Sequence, residues 1–312
     1  LFLAHYYGQK QALVDSVPIN GKSEAVFSGK EKLPGGIYMI AYPKKDGYLE
    51  LVIDKEQRFS VSADSADLLK SVRFTGSREN QLFKEYQDFT SVVGGDMNAL
   101  QKAYAKAPTK ADSTKIMNQL KDKNLQLKNY RQQFIKDHPD HLLTTVFKLL
   151  LEPTIPETWK DSALIYQYYK SHYWDGINMS DARLLRTPVF QPKFNRYFDE
   201  VLPQHHDSLI LEADEMMFAA RNSKDMRQYV LATLTEKYVN PKYMGQDKVF
   251  VHLFQKYFIP GEADAWMTEK YKKFIFDRGY SLMANVIGEK GANLNMIDTA
   301  GTLTQAAKAL KA

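Results

Sequence analysis

The stretch Val72-Arg73-Phe74-Thr75-Gly76-Ser77-Arg78-Glu79-Asn80 contains a change of period, and that change decides the fold class. Up to Gly76 the pattern alternates: Val72 and Phe74 take turns with Arg73 and Thr75, as in a strand with one buried face. Beyond it, Leu82, Tyr86, Phe89, Val93, Met97, Leu100 and Tyr104 recur at spacings of three and four. That is the apolar stripe of one long helix. A β module therefore precedes an α module, and the chain reads as α+β with more than one domain.

Working back from Gly76, Phe59-Ser60-Val61-Ser62-Ala63 also alternates at period two. Leu49, Leu51 and Ile53 share one face, with Glu50 on the other. Ala25-Val26-Phe27 and Gly36-Ile37-Tyr38-Met39-Ile40 add short strands, and Asn20-Gly21, Pro34-Gly35-Gly36 and Lys45-Asp46-Gly47 supply turns. Short strands at this spacing predict an antiparallel β-sandwich or open barrel.

Working forward, Gly94-Gly95 falls inside the first helix and predicts a kink or a break there. Pro108 ends the segment, and Thr109-Lys110-Ala111-Asp112 has the form of a capping box for a second helix. Its stripe is Ile116, Leu120, Leu127, Tyr130 and Phe134. Two such helices joined by a short loop predict an antiparallel hairpin, because each must bury its stripe on the other. Helical patterns continue over 141–151, 162–173, 207–222, 223–238, 248–258 and 261–286, punctuated by prolines. The expected organisation is an antiparallel β domain at 1–76, an all-α domain at 77–286 and a third segment at 287–312.

The hydrophobic fraction of 44% and charged fraction of 25% are those of an ordinary globular chain, not a disordered one. Its richest apolar stretch, 141–151, is interrupted by Lys148 and is too short to span a bilayer. There is no cysteine, which removes disulfides, thiolate metal sites and cysteine nucleophiles from this chain. The net charge of +5 comes without a recognition-helix signature or an RNP-like aromatic motif, so no nucleic-acid partner is expected. Walker A, Gly-x-Gly-x-x-Gly and Gly-x-Ser-x-Gly are absent, and no cofactor is expected.

Four segments appear in order near the front: Leu3-Ala4-His5-Tyr6-Tyr7-Gly8, Leu13-Val14-Asp15-Ser16, Leu33-Pro34-Gly35-Gly36-Ile37-Tyr38 and Phe74-Thr75-Gly76-Ser77-Arg78-Glu79-Asn80. They resemble the small β domain that precedes many cell-envelope thioredoxin-like thiol–disulfide oxidoreductases of Gram-negative bacteria. Ser180-Asp181-Ala182-Arg183-Leu184-Leu185-Arg186-Thr187-Pro188-Val189-Phe190 and Asp264-Ala265-Trp266 are similar to the helical domain of unknown function that follows it in some of them. Ile287-Gly288, Leu294-Asn295-Met296 and Asp298-Thr299-Ala300-Gly301 resemble the opening strands of a redox domain of the alkyl hydroperoxide reductase and thiol-specific antioxidant type. The resemblance implies export to the periplasm or an outer-membrane-associated position in the envelope. It also implies a lipid anchor trimmed from ahead of Leu1, and truncation before a redox domain that would carry Cys-x-x-Cys.

Several groups carry candidate chemistry. His138 and His141, and His205-His206-Asp207, could each offer two zinc ligands. Asp140 and Asp207 read equally well as helix caps, and no metal site is assigned. Lys102 to Lys136 holds nine Lys/Arg against Asp112 and Asp122; such a run could meet an acidic partner or lipid headgroups, and reads first as a solvated helix face. In Tyr166-Gln167-Tyr168-Tyr169-Lys170-Ser171-His172-Tyr173-Trp174, residues Tyr169 and Tyr173 share a core face with Ile165, while Tyr168 and Trp174 point elsewhere. Tyr168, His172 and Trp174, with Arg183 and Arg186, make the candidate binding surface. The two arginines either grip a carboxylate or tie their loop to Asp181. Glu212, Asp214 and Glu215 read as the wet side of a helix.

The expected function is a non-catalytic N-terminal accessory region of an exported thiol–disulfide interchange protein. It would position the redox domain, form a homodimer or recognise a protein client, with membrane contact only through the anchor. The alternative is a free-standing envelope module binding a glycan or peptide.

Overall fold

The computed structural model describes residues 1–42, 47–64 and 66–283 in full, and the backbone alone of 295–297 and 303–305. The chain divides into two compact units, Leu1–Val201 and Leu202–Ala312. The change of period at Gly76 falls inside the first.

Unit one opens with four strands, β1 (Phe2–Tyr7), β2 (Lys10–Ser16), β3 (Gly36–Ala41) and β4 (Tyr48–Ile53). They form one antiparallel sheet in the order β2-β1-β3-β4. A two-stranded ribbon follows, β5 (Ser60–Ser62) with β6 (Arg73–Thr75), the short helix α1 (Leu68–Ser71) lying between them in sequence. Successive side chains on a strand point to opposite faces. Tyr38, Ile40, Leu49, Leu51 and Ile53 meet Leu3, Val72 and Phe74 on one face, so sheet and ribbon share a core. Ile37 and Val52 face the other way, onto helical residues Leu82, Phe83, Phe134, Leu142 and Phe147. Both faces are covered, which is why β3 is buried from Gly36 through Ile40.

The helices then follow the stripes. Ser77 caps α2 (Arg78–Tyr104), its hydroxyl accepting from the Asn80 amide at 3.3 Å. Thr109 caps α3 (Lys110–Asp137): its Oγ1 accepts from the Asp112 amide at 3.1 Å and donates to the Asp112 carboxylate at 2.6 Å. The expected hairpin forms, with α3 also packing on α4 (Leu142–Leu150). Unit one continues through α5 (Ser162–Ser171), a 3-10 turn at Ala182–Arg186, α6 (Phe190–Arg196) and a π-helical turn at Tyr197–Val201.

Unit two packs α7 (His206–Ala219), α8 (Lys224–Tyr238), α9 (Asp247–Leu253) with a π-helical extension at Phe254–Phe258, and α10 (Glu269–Met283). Leu209, Met217, Met226, Leu234, Phe250, Phe254 and Ile275 are among its buried residues. Two short strands, β7 (Asn295–Ile297) and β8 (Leu303–Gln305), pair antiparallel. The segments Ile287-Gly288 and Asp298–Gly301 lie outside the described residues.

Three local expectations are corrected, and one helix is added. Ala25-Val26-Phe27 is a loop with Val26 77% exposed, because three apolar residues cannot hold a ladder without a partner strand. Gly94-Gly95 does not split α2: each glycine costs about 1 kcal/mol in a helix, which pairing with α3 offsets. The added helix is Phe190–Arg196, which none of the periodic stretches covers; Pro192 sits in its first turn, where its missing N–H is not needed. The last helical stretch starts only at Glu269, and turns fill 261–266.

Candidate binding surface

Asp161 caps α5, its carboxylate accepting from the amides of Ala163 (2.8 Å) and Leu164 (3.2 Å). At the other end of the helix Tyr168 stacks on His172, with centroids 4.0 Å apart and planes 23° from parallel. The His172 Nδ1 lies 2.9 Å from the Tyr168 carbonyl and 2.9 Å from the Ser171 hydroxyl. Trp159, from the loop before α5, meets the edge of Tyr168 at 5.1 Å. All three rings are half-buried and form a short aromatic ledge.

Trp174 does not join them. It packs against Tyr173 (5.1 Å) and Tyr197 (5.4 Å), with Phe190 and Phe194 at 6.4 Å. Its indole N–H is buried and finds no acceptor among the described residues. The surface read from Tyr168 and Trp174 is therefore made by Tyr168 and Trp159. Helical periodicity missed this because Trp159 lies ahead of the helix, while the chain turns after α5 and lays the half-buried Trp174 against Tyr173 and Tyr197.

Beside the ledge, Glu152 accepts from the Tyr169 hydroxyl and from Arg196 Nη1 (2.8 Å), while Arg196 Nη2 donates to that hydroxyl at 3.0 Å. Burial, then the Glu152 carboxylate, push the Tyr169 hydroxyl up to about 12. Lys193, only 7% exposed, donates to the Leu151 carbonyl at 3.1 Å and sits 4.4 Å over the Tyr173 ring. Burial holds its ammonium below the usual lysine range, and the ring faces supply a cation–π environment.

Arg183 and Arg186 lie elsewhere, on the 3-10 turn against β1 and β3. Arg183 grips Asp181 through Nε (2.9 Å) and Nη2 (2.7 Å), and reaches Asp54 through Nη1 (2.7 Å). Its fork is thus filled by two carboxylates of this chain, the local tie that the sequence raised. Arg186 donates to the Ala182 carbonyl at 3.3 Å and runs alongside Gly36, where a Cβ would collide with it. Gly35 and Gly36 thus serve close approach as well as a turn. Among the described residues no ring contact, ion pair or hydrogen bond joins these arginines to Tyr168, His172 or Trp174.

The histidines sort differently from expectation. His138 and His141 have rings 5.1 Å apart and both pack on Phe134. Asp140 does not cap α4: the cap residue is His141, which makes no side-chain bond there. The Leu142 amide donates at 2.6 Å to Glu79, a buried carboxylate from the first turn of α2. Asp207 does not cap α7 either; His205 holds the cap position without a side-chain bond. The His205, His206 and Asp207 donor atoms lie within 4.8 Å of one another, and could offer three ligands to an open site.

Unit two holds one cluster that sequence reading took for a wet face. Asp214 accepts from His252 Nε2 (3.0 Å), Tyr257 (2.7 Å) and Lys256 (2.8 Å). Burial pushes its pKa up, but the bonds from Lys256, His252 and Tyr257 outweigh that and hold it below the usual range. The carboxylate orients the imidazole, yet no hydroxyl nucleophile is hydrogen-bonded to His252 among the described residues. Three donors from the α9 region converge on one acid of α7, a tie between elements.

Residues 104–277 match a family described as Domain of unknown function (DUF5106). No curated protein and no solved structure matches the chain.

Proposed function

The chain belongs to the DUF5106 family, and on its sequence motifs we propose that it is the non-catalytic accessory region of an exported thioredoxin-like thiol–disulfide interchange protein. Its work in the cell envelope is to position the redox domain or to recognise that domain's client. The observation that carries this reading is the order of motifs for three regions, β domain, helical domain and redox opening, in a chain with no cysteine. Thiol–disulfide exchange needs a thiolate, so that chemistry has to come from outside these residues.

The contacts made by two of the motifs support a scaffolding role. In Phe74–Asn80, Ser77 caps α2, Glu79 receives the Leu142 amide and Asn80 bonds the backbone of β4. In Ser180–Phe190, Arg183 ties the 3-10 turn to Asp54 just beyond β4. These residues hold helices to a sheet.

Sequencing the gene past the codon for Ala312 tests the proposal. A strand followed by Cys-x-x-Cys supports it; an immediate stop codon overturns it. In an insulin-reduction assay the purified chain is expected to match the dithiothreitol blank.

One observation favours a second reading, a module for a glycan or an aromatic-bearing peptide: the half-exposed ledge of Trp159, Tyr168 and His172. On a glycan array, signal lost in both Trp159→Ala and Tyr168→Ala would establish it, and a blank array would remove it.

A further inference from the structure

The hairpin of α2 and α3 extends well past the rest of its packing. At 1.5 Å per residue, its 27- and 28-residue helices run about 40 Å. Between Thr90 and Lys128 only Val93 is buried, so along this length each helix is covered by little but the other. The free end carries the charge: residues 102–123 hold six lysines against Asp112 and Asp122, a surplus of four beside the net +5 of the whole chain.

The distribution is sharper still at the tip. Lys102, Lys106, Lys110, Lys115 and Lys121 are all exposed, and none forms an ion pair among the described residues. Asp112 is bonded to Thr109 in the helix cap, and Asp96 is paired with Lys123. Tyr104 is 43% exposed and Met117 39%, placing amphipathic and apolar surface among the lysines.

We propose that the tip of this hairpin docks on an anionic lipid surface. A second copy is disfavoured, since two arms of this charge repel. An acidic protein fits less well: protein interfaces are enriched in arginine and depleted in lysine, and residues 102–130 contain lysines and no arginine. A lipid surface asks for no bidentate geometry. It rewards clustered positive charge within a Debye length, and tyrosine settles at the headgroup level.

Vesicle flotation of the full chain tests this. Vesicles with about 30% phosphatidylglycerol are compared with neutral phosphatidylcholine, at about 0.05 M and about 0.5 M salt. The chain is expected to float with the anionic vesicles at low salt and to be released at high salt. Changing the five tip lysines to Gln is expected to weaken flotation at least about tenfold. Being exposed, they leave far-UV circular dichroism unchanged. A matched control alters Lys22, Lys30, Lys32, Lys242 and Lys270, all exposed and off the hairpin, and is expected to stay within about twofold. Equal losses in both variants would reduce the effect to net charge and overturn the proposal. So would flotation that survives the tip substitutions, or none at low salt. Tip-dependent retention on immobilised polyglutamate without flotation would assign the arm to an acidic polypeptide instead.

Discussion

Glu79 and Asp214 are both acids held by hydrogen bonds, yet they titrate in opposite directions. Glu79 is 6% exposed. Burial raises its pKa, the amides of Leu142 and Leu143 pull it down, and Asp54 and Glu56 push it up again, with a net rise above 4.5. The folded state then binds more protons than the unfolded one, so this group's contribution to stability falls as pH rises from 4.5 through the folded value. Glu79→Gln keeps an acceptor for the Leu142 amide and cannot ionise. Urea unfolding from acid to neutral pH is expected to show Glu79→Gln gaining on the native protein as pH rises. Glu79→Ala leaves a buried amide unpaired and is expected to cost about 1–3 kcal/mol in acid, and less as pH rises. Parallel curves for Gln and Glu would sink the account of a buried carboxyl. Asp214, 24% exposed and held below 3.8, behaves oppositely: its contribution is present above 3.8 and lost as pH falls through the folded value. Asp214→Asn is expected to cost about 1 kcal/mol near neutrality, discounted for solvent screening, and nothing measurable in strong acid.

At the scale of elements, legibility tracked sequence distance. The Thr109 capping box, the alternation along β4 and the stripes of α2 and α3 are local patterns, and each appears where the sequence puts it. The Asp181 tie of Arg183, two residues away, was legible; its Asp54 partner, 129 residues away, was not. The cap of α4 was misread for the same reason, since Glu79 reaches it across 63 residues. Tyr168 and His172 meet because one helix turn separates them, whereas the place of Trp174 depends on how the chain turns after α5. The hairpin also carries a dynamic expectation. Few buried contacts and exposed backbone mean low local stability. Hydrogen exchange followed by mass spectrometry is expected to show amides of 97–120 exchanging well before those of α4, whose Leu142, Leu143 and Phe147 are fully buried. Equal protection would mean that something else covers the arm.

For the whole molecule, Asn80 has a consequence for association. Its Oδ1 accepts from the Val52 N–H at 2.7 Å and its Nδ2 donates to the Val52 carbonyl at 2.8 Å. One side-chain amide thus occupies the outer margin of β4 as a neighbouring peptide would. The opposite margin, β2, has no further strand beyond it among the described residues. A sheet open on both sides can recruit copies without limit, whereas one blocked on one side can add a strand only on the other. Asn80→Leu keeps α2 over that margin but leaves the buried Val52 N–H and carbonyl unpaired, and is expected to cost about 1–3 kcal/mol in urea unfolding. A side chain held under a helix therefore closes the β4 margin to strand addition, and among the described residues of this sheet only β2 is left to accept one.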